Sequence, residues 1–167
     1  MAKLDEARIK SLLAKGKYKD AGVLLDSYLL EDRNNAVAWY LVGILAMKLK
    51  NYELAHEHFE RALTVKRLPE CLLFDGLAYM EMLEIEPAKA KFGEYLAVNP
   101  NDAEANFYMA ICYLLQGNPL SGQYIKKAHT VDKEKTLRLL RDFFREVIES
   151  NPAYDSTIKE QLKKKLG

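Results

Sequence analysis

Few side chains in this sequence are of the types that carry out chemistry. His56 and His58 stand two positions apart on a predicted helix, so they point to different faces and cannot bind one metal ion together. His129 stands alone, and Asp75 lacks the nearby partner that a catalytic carboxylate needs. We therefore expect surface histidines, and an Asp75 side chain whose hydrogen bonds come from a backbone group or a tyrosine hydroxyl. The sequence predicts no metal site and no catalytic residue.

The cysteines and the short motifs also point away from an enzyme. Cys71 and Cys112 form neither a CxxC pair nor a disulfide framework, which favours two buried thiols in a reducing compartment. The sequence contains no glycine-rich phosphate loop, no serine nucleophile elbow and no HExxH zinc motif. We therefore expect a protein that is not an enzyme and that uses no cofactor.

Composition limits the remaining classes of function. The 167 residues are 49% hydrophobic and 29% charged, which is ordinary for a soluble protein. The 25 Lys and Arg residues against 24 Asp and Glu leave a net charge of +1, without the cationic surplus that nucleic-acid binding requires. No apolar run approaches the roughly 18 residues of a membrane span, and charges of both signs interrupt the N-terminus. We expect a soluble cytoplasmic protein with no nucleic-acid partner and no membrane span.

The elements that must position any binding site repeat along the chain. One unit has the pattern W-x3-G followed by A-x3-F-x2-A, formed by Trp39, Gly43, Ala55, Phe59 and Ala62. Further copies of all or part of it occur at intervals of about 33 residues: Leu72, Gly76, Ala88, Phe92 and Tyr95; Asn106, Ala110, Ser121, Ile125 and Ala128; and Ala21, Leu25 and Tyr28. Turn-forming residues separate the two halves of each copy, at Gly16, at Lys50-Asn51, at 84–87 and at 117–119. The repeated pattern predicts paired helices stacked on one another.

This pattern resembles the tetratricopeptide repeat over about four-fifths of the chain. The resemblance implies an all-α fold, a right-handed solenoid of helix-turn-helix repeats. It predicts one domain, 1–132, with repeats over about 2–35, 36–68, 69–102 and 103–132, followed by capping helices over 133–167. The pattern has small residues at the positions where the two helices of a repeat must approach each other closely. No single repeat can bury its own apolar face, so stacking supplies the core.

The tail after Asp132 follows a different pattern. One predicted helix has an apolar face formed by Leu137, Leu140, Phe144, Val147 and Ile148, with Asp132 as its N-cap. Asn151-Pro152 ends it, and residues 156–166 form a short last helix. We expect these helices to cap the stack. Two alternatives are a tail helix that occupies the binding groove, and an anionic partner bound by Lys163–Lys165.

The resemblance places the first helix of each repeat on the concave face of the solenoid. Besides its packing stripe, each of these helices in the second to fourth repeats carries another apolar stripe, rotated by roughly 120° around the helix. Its members are Val37, Tyr40, Ile44, Met47, Leu73, Leu77, Met80, Phe107, Ile111 and Leu114. They predict a groove for an apolar peptide or an amphipathic helix. The alternative is that the chain itself covers these side chains.

One subtype of the family binds the carboxylate end of chaperone tails through basic and amide side chains in the groove. The corresponding positions here are Glu6, Lys10, Leu41, Glu70 and Phe74, of which only Lys10 is basic. We therefore expect no dicarboxylate clamp.

The prediction for function is a non-catalytic adaptor or scaffold whose groove binds a protein or peptide partner. The alternative is a self-assembling scaffold that forms homo-oligomers through the groove or through the ends of the stack. A third hypothesis, nucleic-acid or membrane-surface binding by the basic tail, predicts a steep loss of binding as salt rises.

Overall fold

A computed structural model describes residues 4–149, 152, 155–157, 159, 160 and 164 of the chain. Its described residues form helices and turns without a strand, so the predicted all-α class is confirmed. The helices are α1 Glu6–Ala14, α2 Tyr18–Glu31, α3 Ala36–Lys48, α4 Tyr52–Val65, α5 Pro69–Glu81, α6 Ile85–Val98, α7 Ala103–Leu115, α8 Leu120–Val131 and α9 Lys133–Phe143, followed by a π-helix, Phe144–Glu149. Within the described residues, no helix is long and apolar enough to cross a membrane.

The chain divides into two compact units, Met1–Val98 and Asn99–Gly167. The first unit contains α1 to α6, which are three helical hairpins. The second contains α7 to α9 and the π-helix. This division, at 98/99, lies within the predicted repeat domain, 1–132.

Short polar side chains begin the helices as the sequence suggests. Asp5, Asn35, Asn51, Asp102 and Asp132 each accept a hydrogen bond from the backbone N–H three residues further on, at 2.8–3.2 Å. Each such cap satisfies one of the amide groups that a helix leaves unpaired at its start. Asp132 is thereby confirmed as the N-cap of α9.

The turn inside every hairpin contains one residue in the left-handed region. These residues are Gly16, Lys50, Leu83 and Gly117, with φ of +70°, +58°, +61° and +64°. Glycine adopts this conformation without a steric penalty, whereas a side chain with a Cβ costs about 1–2 kcal/mol. Leu83 is also 79% exposed, so burial of its side chain offsets little of that cost.

Glycines on the first helices let the helices of a hairpin pack closely in the first unit. A Cβ added at Gly43 would overlap the Phe59 ring, and one at Gly76 would lie 2.6 Å from the Phe92 ring. Phe59 and Phe92 are fully buried. The predicted reason for the small residues, close approach of two helices, therefore applies at both positions.

The core of the first unit runs through successive hairpins. One cluster of buried residues draws on α1, α2 and α3, and consists of Ile9, Leu13, Ala21, Leu25, Ala38, Leu41 and Leu45. A second draws on α3, α4 and α5, and consists of Ala46, Ala55, Phe59, Ala62, Cys71 and Ala78. Each of these two clusters therefore extends from one hairpin into the next.

In the second unit, α9 packs against both α7 and α8. Lys135 Nζ lies 2.7 Å from Glu104 Oε2, and the buried Thr136 hydroxyl donates to the Asp132 carbonyl at 2.7 Å. The helix predicted to continue as far as Asn151-Pro152 changes to a π-helix after Phe143. Phe144 is buried, whereas Val147 of the same predicted stripe is 40% exposed.

The predicted last helix, 156–166, falls largely outside the described residues. Of its members, 156, 157, 159, 160 and 164 are described and helical. Of the basic run at the end of the chain, Lys163 and Lys165 lie outside the described residues.

Replacing Gly43 with alanine tests the close approach. We expect Gly43→Ala to lower the free energy of unfolding by about 1–3 kcal/mol, because the Phe59 ring must shift inside a packed core. Urea unfolding followed by far-ultraviolet circular dichroism measures this. The matched control is Gly22→Ala, where the added Cβ meets only Leu45 at 3.6 Å and helix propensity adds about 0.5–1 kcal/mol of stability. Equal effects of the two substitutions would contradict the packing argument.

Replacing Leu83 with glycine tests the cost of the left-handed turn. We expect Leu83→Gly to raise the free energy of unfolding by up to about 1 kcal/mol, since it relieves strain at an exposed position but adds flexibility to the unfolded chain. Thermal unfolding measures the change. Leu115→Gly is the control: Leu115 is 54% exposed at the end of α7, and glycine there costs about 1 kcal/mol. A loss of stability in Leu83→Gly would refute the prediction.

Candidate functional site

The first-helix face of the first unit is a set of half-buried apolar side chains on α3 and α5. The two helices contact each other, and the side chains that remain partly accessible are Val37, Tyr40, Ile44, Met47, Leu77 and Met80. Leu73, also predicted for this face, is only 9% exposed. We call these six partly exposed residues the first-helix face.

Tyr40 anchors this face. Its ring centroid lies 6.2 Å from that of Phe59 and 5.9 Å from that of Phe74. Burial, followed by the effects of Cys71, Glu70 and Glu6, raises the pKa of Tyr40 to about 12. The phenol is therefore protonated at neutral pH and held in place by packing, with acidic side chains nearby.

The predicted members on α7 lie in the second unit and differ in exposure. Phe107 is 2% exposed and Ile111 is 3% exposed, whereas Leu114 is 54% exposed. The chain itself therefore covers Phe107 and Ile111, and it covers Leu73 in the first unit. This is the alternative that the sequence analysis left open, and it removes these three side chains from direct contact with a partner.

Leu41 and Lys10 occupy two of the positions at which a dicarboxylate clamp would bind its ligand. Leu41 is 1% exposed and belongs to the core. Lys10 Nζ lies 3.1 Å from Glu6 Oε2, so the only basic group among these positions is paired with an acid.

A charge cluster centred on one buried carboxylate connects α4, α5 and α6. Asp75 is fully buried; its Oδ1 lies 2.8 Å from His56 Nδ1, and its Oδ2 lies 3.1 Å from Lys91 Nζ. Lys91 Nζ also donates to Glu60 Oε1, and the Tyr79 hydroxyl lies 3.2 Å from His56 Nε2. Four charged or titratable groups and one phenol thus share a single site.

Burial disfavours the charged forms of Asp75 and Lys91, and the opposite charges of their neighbours favour them. Burial raises the pKa of Asp75, and the hydrogen bond and charge of His56 and then Lys91 offset part of that rise. For Lys91, burial favours the neutral amine, but the combined attraction of Glu60 and Asp75 outweighs it and raises the pKa. The ammonium therefore stays charged between two carboxyl groups.

Three side chains of this cluster also have the geometry of metal ligands. Ligand atoms of His56, Glu60 and Asp75 lie within 4.8 Å of one another. The Lys91 ammonium already sits against both carboxyl groups and supplies the positive charge there. The arrangement is that of an internal salt-bridge network.

Both histidines of α4 are partly exposed, and each also has a side-chain partner that the sequence did not predict. His56 belongs to the cluster, and His58 stacks on Trp39 with ring centroids 5.5 Å apart, where burial lowers its pKa. Asp75 does have polar partners as expected, but they are His56 and Lys91 rather than a tyrosine or the backbone. The four-residue spacing of His56 and Glu60 on one helix face was the available signal.

Comparison with known proteins identifies the repeat. The tetratricopeptide-repeat family is matched by two of its models, over residues 36–66 and 76–120. No curated protein matches the chain significantly. These two matches support a tetratricopeptide-repeat protein, and the repeat of that family is in general a non-catalytic protein-interaction fold.

Solved structures support the same fold class, an all-α tetratricopeptide solenoid. The PilF protein of Pseudomonas aeruginosa is 19% identical with a TM-score of 0.73, and the match covers 96% of this chain and 74% of that one. MamA from Desulfovibrio magneticus is 19% identical with a TM-score of 0.72, covering 99% and 95% of the two chains. YrrB, described as a TPR protein with an unusual peptide-binding site, is 20% identical with a TM-score of 0.67, covering 93% and 88%.

Removing the ammonium tests the charge cluster. We expect Lys91→Met to lower the free energy of unfolding by about 3–5 kcal/mol, because the buried Asp75 loses a compensating charge. Lys10→Met is the matched control, since it breaks an exposed ion pair worth about 0.3–0.5 kcal/mol. Urea unfolding of the two variants measures both effects. If Lys91→Met costs no more than the control, the cluster does not hold the three helices together.

Proposed function

We propose that this chain is a non-catalytic adaptor that binds an apolar peptide or an amphipathic helix of another protein on the first-helix face. The proposal rests on one observation: six large apolar side chains on two neighbouring helices remain partly exposed. A surface helix ordinarily buries its one apolar stripe, and a second stripe left partly open favours a binding surface.

The energetics fit a peptide complex. Full burial of a large apolar side chain contributes about 1.5–3 kcal/mol, and each of these partly exposed side chains has at most about a third of that left to gain. Six such side chains give at most roughly 3–6 kcal/mol against an association cost of about 4–15 kcal/mol. Binding on this face alone is therefore weak, and a useful affinity needs polar contacts as well. Met47 and Met80 add adaptable contacts at one end of the face.

The charged side chains beside the first-helix face indicate which charge a partner segment would carry. The exposed Glu6 and Glu70 lie close enough to Tyr40 to affect its pKa. A basic side chain flanking the apolar residues of a partner segment would pair with Glu70, whereas Glu6 already pairs with Lys10. YrrB, which shares the fold, is described as having a peptide-binding site, and this supports a peptide as the kind of ligand.

Substitution on the first-helix face tests the proposal. We expect Leu77→Glu combined with Ile44→Glu to abolish partner capture from an extract of the source cells, because each carboxylate would have to be desolvated at the interface. The wild-type chain serves as bait beside the variant, and captured proteins are identified by mass spectrometry. Purified partner and chain are then titrated by calorimetry.

Val98→Glu is the matched control, since it puts the same charge at a 50% exposed apolar position at the end of α6. Circular dichroism establishes that each variant remains folded. If the double substitution unfolds the protein, Met47→Glu with Met80→Glu replaces it. A partner retained equally by wild type and variant would refute the proposal. Recovery of untagged copies of the chain alone would support the self-assembling scaffold instead.

A further inference from the structure

Two successive junctions between hairpins of the first unit are filled differently. Glu60, Asp75 and Lys91 pair where α4, α5 and α6 meet. Asp26, Val42 and His58 occupy the corresponding positions, 34 or 33 residues earlier, where α2, α3 and α4 meet. Valine in place of aspartate removes the central buried charge, and so this junction has no equivalent of the charge cluster.

An open cavity lies at the earlier junction. Its volume is about 710 Å³, and its walls include Leu29, Leu30, Arg33, Trp39, Val42 and Arg61. The corresponding residue of Trp39 at the later junction, Leu72, is 3% exposed, whereas Trp39 is only half-buried. Cavities of about 300–1,000 Å³ are typical of ligand sites. We call this cavity the junction pocket.

Trp39 is held rigidly in the pocket wall. Its Nε1–H donates to the Arg33 carbonyl at 2.8 Å, and His58 stacks on its ring. The Arg61 guanidinium lies 6.0 Å from the ring centroid. A rigid, partly exposed tryptophan offers an apolar surface at little entropic cost.

The charges around the pocket are unbalanced. Arg33 and Arg61 are both exposed, and Asp26 is the single acidic residue in the lining. Neither guanidinium forms an ion pair with any residue in the described part of the chain. The pocket thus combines an apolar wall with a surplus of positive charge, the reverse of the acidic margin beside Tyr40.

We propose that the junction pocket is a second protein-binding site, which takes an acidic segment of a partner protein with a large apolar side chain next to carboxylates. The apolar side chain packs on Trp39, Leu29 and Val42, and the carboxylates pair with the two arginines. This site is separate from the first-helix face and does not depend on it.

Trp39 is the only tryptophan in the sequence, so its fluorescence reports directly on the pocket. The probe is a synthetic peptide, blocked at both ends, with a central leucine and phenylalanine flanked on each side by two aspartates. We expect a saturable change in emission. Replacing the aspartates with asparagines is expected to weaken binding by about fivefold or more, since the charge pairs are lost.

Arginine variants localise the binding. We expect Arg33→Gln with Arg61→Gln to raise the peptide Kd by about fivefold to twentyfold. The matched control is Lys66→Gln with Arg67→Gln, which also removes two positive charges, one of them at the position corresponding to Arg33 in the next repeat, and is expected to change the Kd by less than about twofold. Circular dichroism establishes that all variants are folded.

Three outcomes would overturn the proposal. They are the absence of a saturable change in emission, equal affinity for the asparagine peptide, and equal effects of the double variant and its control. A Trp39 emission that depends on protein concentration without peptide would show instead that a second copy of the chain covers the pocket.

Discussion

The contact between a glycine of one helix and a phenylalanine of the next sets the geometry of the first unit. The Phe59 ring lies against the backbone at Gly43, and the Phe92 ring lies against it at Gly76, so closely that neither glycine has room for a Cβ. Because this contact fixes the two helices of a hairpin, it also fixes which sides of α3 and α5 remain for other contacts. The first-helix face and the junctions between hairpins are both consequences of that packing.

The two junctions between hairpins of the first unit differ in the side chains that fill them. At the later one, Asp75 and its partners fill the space with a charge network. Burial raises the pKa of Asp75 despite those partners, which means that the network only partly repays the cost of removing the charge from water. At the earlier one, Val42 brings no such cost, and a cavity remains beside Trp39. A repeat can thus keep its packing residues and still vary the surface between them.

The helices, their caps and the close-packed glycines could be predicted because each depends on residues near in sequence or on a strict repeat. Asp132 caps α9 through its own neighbours. The binding surface was harder to predict, since α3, α5 and α7 carry similar apolar stripes. Leu77 remains half-buried, but Leu73 and Phe107 are covered. A helical period indicates which side chains share a face, and it does not indicate what lies against that face.

The sequence by itself determined the helical repeats, their turns and the absence of the known enzyme motifs, because these are properties of local spacing. Only the tertiary structure decided that His56 meets Asp75 and that Lys91 reaches Glu60 from another helix, 31 residues away in sequence. It also decided that Trp39 lines a cavity whose walls include two arginines. Such groups come together only when separate hairpins stack, and the stacking depends on packing across the whole unit rather than on any one segment.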